Sequence, residues 1–299
     1  MLYQSTRSEQ EKISSAQAIK QGIAADGGLF VPTEAVKINL TDLINLTYPQ
    51  RAALILGQYL GVFSASELAE VTAASYQSNF ADPQIAPIKT LSNGANLLEL
   101  WHGPTCAFKD LALQILPRLL TTALAKTGEK AEIVILVATS GDTGKAALEG
   151  FKDVPGTRIM VFFPNQGVSQ VQKLQMQTQE GSNVSVAAVE GNFDDAQSGV
   201  KAIFTNPAIK AELAAHNLSL SSANSINWGR LAPQIVYYFS AYLDLVQAGR
   251  LKMGDPLNFV VPTGNFGDIL AGYYAKQAGL PVGKLICASN DNKILTDFF

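Results

Sequence analysis

Histidine and cysteine are scarce: the 299 residues include 2 His and 2 Cys. That leaves few parts for a metal cluster or a histidine-based triad, and His102-x-x-x-Cys106, with no partner motif, reads as structural. Two cysteines, Cys106 and Cys287, make no disulfide framework, so a reducing cytoplasm is the expected compartment. Excess charge is scarce too. A net charge of −3 excludes bulk electrostatic binding of nucleic acid and still allows a local anion site. No apolar run is long enough for a membrane: Leu231 to Leu243 gives 13 uncharged residues before Asp244, where about 20 are needed. The opening "MLYQSTRSEQEK" has no apolar stretch of the secretory kind. Neither nucleic acid nor membrane is therefore an expected partner, and no feature sets an oligomeric state.

Two nucleotide signatures are also missing. "SGDTGKAA" (Ser140–Ala147) has the outline of a P-loop but carries Thr139 where glycine is needed and Ala146 where a hydroxyl is needed. Neither this turn nor "GNFG" (Gly264–Gly267) makes a G-x-G-x-x-G dinucleotide fingerprint.

What is present describes a globular protein, with 47% hydrophobic residues, 16% charged residues and 24 glycines. The length suits a core divided between two lobes. Residues 1–80 are poor in strand signals and hold two helical patterns, Pro49–Leu60 and Ser64–Tyr76, the second opened by a Ser64/Glu67 capping box. They read as a mostly helical N-terminal domain, followed by a proline-containing linker (Phe80–Pro87) and an α/β region over 81–299. In that region "NLLELW" (Asn96–Trp101), "EIVILVAT" (Glu132–Thr139), "RIMVFF" (Arg158–Phe163), "VSVAAV" (Val184–Val189), "LNFVVP" (Leu257–Pro262) and "KLICAS" (Lys284–Ser289) read as strands. Helical stretches lie between them, among them Trp228–Gln247. Such alternation means parallel βαβ units.

In parallel α/β sheets, ligands bind beyond the carboxyl ends of the strands. "VATSGDTG" and "VVPTGNFGD" both stand there, each a glycine turn opening a helix, where backbone N–H groups can hold an anion. Asp142 disfavours a phosphate in the first turn. That turn is assigned a carboxylate or hydroxyl ligand, with Thr139, Ser140 and Thr143 as donors. The second turn has no carboxylate before Asp268, which could cap the helix, and is assigned a phosphate. Lys109, in "HGPTCAFKDLAL" (His102–Leu113), sits where a turn runs into an apolar helix. On its own it reads as a snorkelling lysine. Helix-dipole repulsion and desolvation would both lower its pKa, and a neutral amine is a nucleophile toward carbonyls. A nucleophilic amine together with a phosphate-holding turn suits pyridoxal 5′-phosphate (PLP).

Taken together, these stretches resemble the threonine synthase family. The likeness is carried by "STRS" with "QGIAADGGLFVP" (Ser5–Ser8, Gln21–Pro32), "HGPTCAFKD" (His102–Asp110), "ATSGDTGKAAL" (Ala138–Leu148) and "VPTGNFGDILAGYYAKQAGLP" (Val261–Pro281). "VEGNFDDAQ" (Val189–Gln197) and "NSINWGRLAPQIVYYF" (Asn224–Phe239) are similar as well. The resemblance implies the tryptophan synthase β-like fold (fold type II PLP): two open parallel α/β lobes with the cofactor between them and a helical domain before them. It implies that Lys109 is the catalytic, cofactor-bearing lysine. Gly264, Asn265, Phe266, Gly267 and Asp268 would hold the cofactor phosphate, mainly through backbone N–H. Asp142, with the substrate-binding Thr139, Ser140 and Thr143, would line the edge for the substrate α-carboxylate and the cofactor 3′-oxygen, and Arg7 would meet the substrate phosphate. The implied reaction converts O-phospho-L-homoserine and water to L-threonine and phosphate in amino-acid biosynthesis. Family members continue past "KLICAS", so a C-terminal part is expected to be missing after "SNDNKILTDFF". Two alternatives stay open: a related PLP-dependent serine or threonine dehydratase, and a non-catalytic α/β remnant serving as a binding module.

Overall fold

The computed structural model describes residues 1–8, 12–291 and 293. The apolar end of the sequence, "ILTDFF", lies outside the described residues.

The N-terminal segment contains strands that the sequence reading did not anticipate. β1 (Leu2–Ser5), β2 (Ile13–Ser14) and β3 (Phe30–Pro32) form an antiparallel sheet with β1 in the centre. Strands of 4, 2 and 3 residues are too short to display a period of two. Between them α1 (Ser15–Gln21) is opened by a Ser14/Gln17 capping box. α2 (Tyr48–Tyr59) and α3 (Ala65–Ser75) match the two expected helical patterns, and Ser64 and Glu67 make the anticipated reciprocal cap.

β4 (Ile88–Thr90) and β5 (Asn96–Leu98) form an antiparallel hairpin, so the strand expected at Asn96–Trp101 stands apart from the parallel sheets. Next come α4 (Asp110–Leu113), α5 (Leu116–Thr127), β6 (Glu132–Ala138), α6 (Asp142–Phe151), β7 (Thr157–Pro164), α7 (Gln170–Gln177) and β8 (Val184–Val189). α8 (Phe193–Thr205), α9 (Pro207–Ala215) and β9 (Leu218–Ser222) complete this lobe. Its four strands are all parallel, in the order β8-β7-β6-β9. β6 is buried over Leu136–Ala138 and at Ile133 and Ile135, as a central parallel strand covered on both faces should be.

α10 (Trp228–Gln247) then runs through the molecule to β10 (Leu257–Val261), α11 (Phe266–Gln277) and β11 (Val282–Cys287). β10 and β11 form a second parallel sheet. α10 is buried on nearly all its faces, the pattern of a helix enclosed by other elements. The N-terminal segment is fastened to it at Arg51, which donates to Asp244 Oδ1 at 2.5 Å, Ser240 Oγ at 2.8 Å and Leu43 O at 3.2 Å. Tyr3 and Tyr59 pack their rings 5.5 and 5.7 Å from Trp228. The main apolar core is continuous from Tyr3 to Val282. A second, smaller cluster of Leu136, Ala138, Ala196, Val200 and Phe204 lies between α8 and the four-stranded sheet.

Candidate active site

The segment before Lys109 is folded tightly onto Asp110. Thr105 donates its backbone N–H to Asp110 Oδ2 at 2.8 Å and its hydroxyl to Oδ1 at 2.7 Å. Gly103 lies so close that an added Cβ would sit 2.5 Å from that of Asp110. Asp110 is fully buried, and burial raises its pKa against the pull of the Thr105 bonds. This clamp fixes the residue that follows the turn, Lys109, at the N-terminus of α4.

Lys109 is 9% exposed. Its Nζ donates to Asp142 Oδ2 at 2.5 Å and lies 4.8 Å from the centroid of the Phe108 ring. Burial is the largest influence on the ammonium and lowers its pKa, while Asp142 pulls the other way. The lowered pKa agrees with the sequence expectation, and burial, one of the two causes expected, is its largest source. α4 has only 4 residues, a single turn, which gives the macrodipole little to sum.

The first glycine turn follows β6. Thr139 is 1% exposed, and its hydroxyl accepts the N–H groups of Gly141 at 3.0 Å and Gly144 at 2.9 Å. The Thr139 hydroxyl is thus engaged within the turn itself. Ser140 is exposed and Thr143 partly so. The N–H groups of Asp142 and Thr143 open α6, where they have no intrahelical acceptor.

The second turn follows β10. Gly264 has φ 64°, a conformation that glycine adopts without the steric penalty of a Cβ. Asn265 caps α11 by accepting the Asp268 N–H at 3.3 Å, so Asp268 is not the cap. Nor does the Asp268 carboxylate face the turn's mouth. It is 2% exposed and accepts the hydroxyls of Tyr237 at 2.5 Å, Tyr238 at 3.1 Å and Thr263 at 3.0 Å. Burial raises its pKa and those bonds oppose the shift. Asp268 anchors the turn to α10, and the N–H groups of Phe266 and Gly267, in the first turn of α11, have no intrahelical acceptor.

The loop after β9 joins the two turns. Asn224 Nδ2 donates to Ala138 O at 3.1 Å, and a Cβ at Gly267 would lie 3.5 Å from that of Ser225. Lys109 stands within electrostatic range of both turns, since the carboxylates of Asp142 and Asp268 both act on its ammonium.

Arg230 was not singled out as a site residue from sequence. It is 1% exposed, donates Nη1 to Ala223 O at 2.7 Å, and leaves a buried Nε without a partner. Its pKa is pushed down to about 10 by burial, which Asp142 opposes, and its charge also acts on Lys109. One signal was available: a lone arginine heading an otherwise apolar helix is rarely buried without a task. Arg7 stands on the N-terminal segment. It donates Nη1 to Asp26 O at 3.1 Å. It lines a cavity of about 980 Å³ with Lys201, Phe204 and Asn224, and neither Lys109, Asp142 nor the Gly264–Asp268 turn lines that cavity.

Two parallel α/β lobes whose glycine turns converge on a buried lysine define the class as fold type II, the tryptophan synthase β-like fold of PLP enzymes. Residues 2–76 match the family model for the threonine synthase N terminus. The chain is 42% identical to a threonine synthase of Pseudomonas aeruginosa, over 100% of this chain and 62% of that protein. It is 43% identical to threonine synthase-like 1 of Homo sapiens, over 97% of this chain and 40% of that protein. Among solved structures it is similar to PLP-bound threonine synthase from Brucella melitensis, with a TM-score of 0.86 and 42% identity, covering 99% of this chain and 62% of that one. Threonine synthase from Escherichia coli gives a TM-score of 0.86 at 35% identity, covering 100% and 66%. The chain belongs to the threonine synthase family. It spans 40% to 66% of the length of these relatives.

Proposed function

We propose that the site binds PLP and an amino acid bearing a phosphate ester, and that it converts O-phospho-L-homoserine and water to L-threonine and phosphate. The carrying observation is Lys109: a buried amine of lowered pKa, held at 2.5 Å by Asp142, between two turns that offer N–H groups. The residues fit the cofactor. An aldehyde needs an amine that can lose its proton, a phosphate ester needs N–H donors at a helix start, and the unpaired Arg230 Nε is a buried donor suited to an anion.

When bound, PLP supplies an electron sink for the carbanion that forms at the substrate α-carbon. The protein supplies the rest. Phe266 and Gly267 hold the cofactor phosphate through backbone N–H. The hydroxyls of Ser140 and Thr143, with the N–H groups of the same turn, orient the substrate carboxylate. Lys109 Nζ takes and returns protons, and Asp142 holds the ammonium in its protonated phase. The buried walls around Lys109 exclude water from the amine. Arg230 serves the anionic end of the ligands. Both cysteines are free, which suits a cytoplasmic setting, and no helix among the described residues is long and apolar enough to cross a membrane.

The test is direct. The protein mixed with PLP should gain a visible absorbance that borohydride fixes to Lys109, as located by peptide mass, and should release phosphate from O-phospho-L-homoserine. Lys109→Ala should lose both properties. A coloured, active Lys109→Ala protein would sink the assignment, and release of a 2-oxo acid without phosphate would move the site to the dehydratases.

A further inference from the structure

α7 lies across the first glycine turn, and the two glycines of that turn are where it docks. A Cβ on Gly141 would run into the Gln172 amide, and one on Gly144 would sit 2.6 Å from Met176 Sδ. Gln172 and Met176 stand four positions apart on α7, on one face of the helix. The "GDTG" spacing of the turn matches that face. The helix is held in this place from its other side: Lys173 Nζ donates to Asn165 Oδ1 at 2.8 Å, and Asn165 Nδ2 donates to Glu190 Oε1 at 2.8 Å. Asn165 and Glu190 follow directly on β7 and β8, so these bonds tie α7 to the carboxyl edge of the sheet, where ligands bind in such folds.

The Gln172 amide is oriented by its own helix cap. Ser169 Oγ accepts the Gln172 backbone N–H at 3.3 Å and donates to Gln172 Oε1 at 3.1 Å. The amide oxygen is therefore held by Ser169, and both ends of the amide lie against Gly141, with Oε1 the nearer and Nε2 beside it. Among the described residues Nε2 has no acceptor, although the side chain is half-buried. An N–H2 group without an acceptor, set against Gly141 in the turn that carries Ser140 and Thr143, adds a donor suited to a carboxylate.

We propose that Gln172 is a substrate-binding residue whose Nε2 donates to the α-carboxylate of the amino acid seated on the Ser140–Thr143 turn. This rests on the PLP and amino-acid reading of the site. It gives α7 a role that neither Lys109 nor the glycine turns account for: recognition of an amino acid in preference to a simple amine.

The experiment uses the PLP-loaded chain and two unreactive ligands, with binding followed by the change in cofactor absorbance. 2-Amino-5-phosphonopentanoate keeps the carboxylate and replaces the phosphate ester by a phosphonate that cannot leave. 4-Aminobutylphosphonate is the same molecule without the carboxylate. Gln172→Glu keeps the shape and turns a donor into a like charge. It should weaken the first ligand by roughly 10- to 100-fold, the range for a charged hydrogen bond lost, and leave the second within about 2-fold. Gln172→Ala should follow the same pattern to a smaller degree. Equal weakening of both ligands would mean that Gln172 only braces the turn and would overturn the proposal, as would no weakening of either. A wild-type protein that takes up PLP but binds both ligands equally would overturn the carboxylate role and leave the cofactor reading standing. A wild-type protein that takes up no PLP would remove both.

Discussion

Two forces of opposite sign act on the Lys109 ammonium. Burial disfavours its charge, and Asp142 at 2.5 Å favours it. Burial prevails, and Asp142 limits how far the pKa falls. The sign of a perturbation follows directly. Replacing Asp142 by Asn removes the attraction and leaves the burial, so the amine loses its proton at lower pH than in the wild type. The pH midpoint for PLP addition to Lys109, read from borohydride-trapped cofactor at each pH, should move down in Asp142→Asn. An upward movement would mean that Asp142 does not stabilise the ammonium. Lys109 and both glycine turns were legible in the sequence because each is a local pattern: an amine at a turn, or a strand running into glycine and a helix. The directions of the Thr139, Asp268, Arg230 and Arg7 side chains are not local patterns. Whether a side chain near a turn points out or in depends on partners far along the chain, such as Tyr237 for Asp268.

At the scale of elements, the distance between Lys109 and Asp142 is set by how α4 meets α6. The two helices approach at Gly150, where an added Cβ would collide with the backbone oxygen of Leu113. Alanine is the better helix former by about 1 kcal/mol, so Gly150→Ala would stabilise an isolated α6. In the folded protein the clash is with a backbone atom, which has no alternative rotamer. Overpacking of this kind costs about 1–3 kcal/mol or more. The expected outcome is a lower urea midpoint together with weaker PLP uptake, because separating the helices pulls Asp142 from Lys109. A higher midpoint with unchanged uptake would refute the contact. Periodicity captured the long elements well, and α10 begins and ends where the sequence placed it. α9 and β9 were missed. No residue of α9 is buried, so it carries no apolar stripe to read, and "LSLSS" is a weak strand signal whose pairing with β6 is set only by the sheet.

Across the whole molecule, the apolar interior divides unevenly. The larger cluster links the N-terminal segment, α10 and α11 without interruption, whereas α8 rests on the sheet through Ala196, Val200 and Phe204, with α9 beside it presenting no buried residue. Opening free energies follow such differences in burial, so a protein exchanges amide hydrogens region by region. The sequence suggested a boundary near residue 80, yet Tyr3, Arg51 and Tyr59 all reach α10 or its first residue, Trp228. We propose that residues 1–80, matched in part by the N-terminal family model, open together with α10 as one cooperative unit and that α8 with α9 opens separately and sooner. Native-state hydrogen exchange at increasing urea concentration measures this. The slowest amides of α2, α3 and α10 should converge on one isotherm at the global unfolding free energy, and those of α8 and α9 should exchange through a lower one with a smaller dependence on urea. If α2 and α3 instead reach exchange well before α10, the first eighty residues are a separate folding unit and the shared core does not bind them into one.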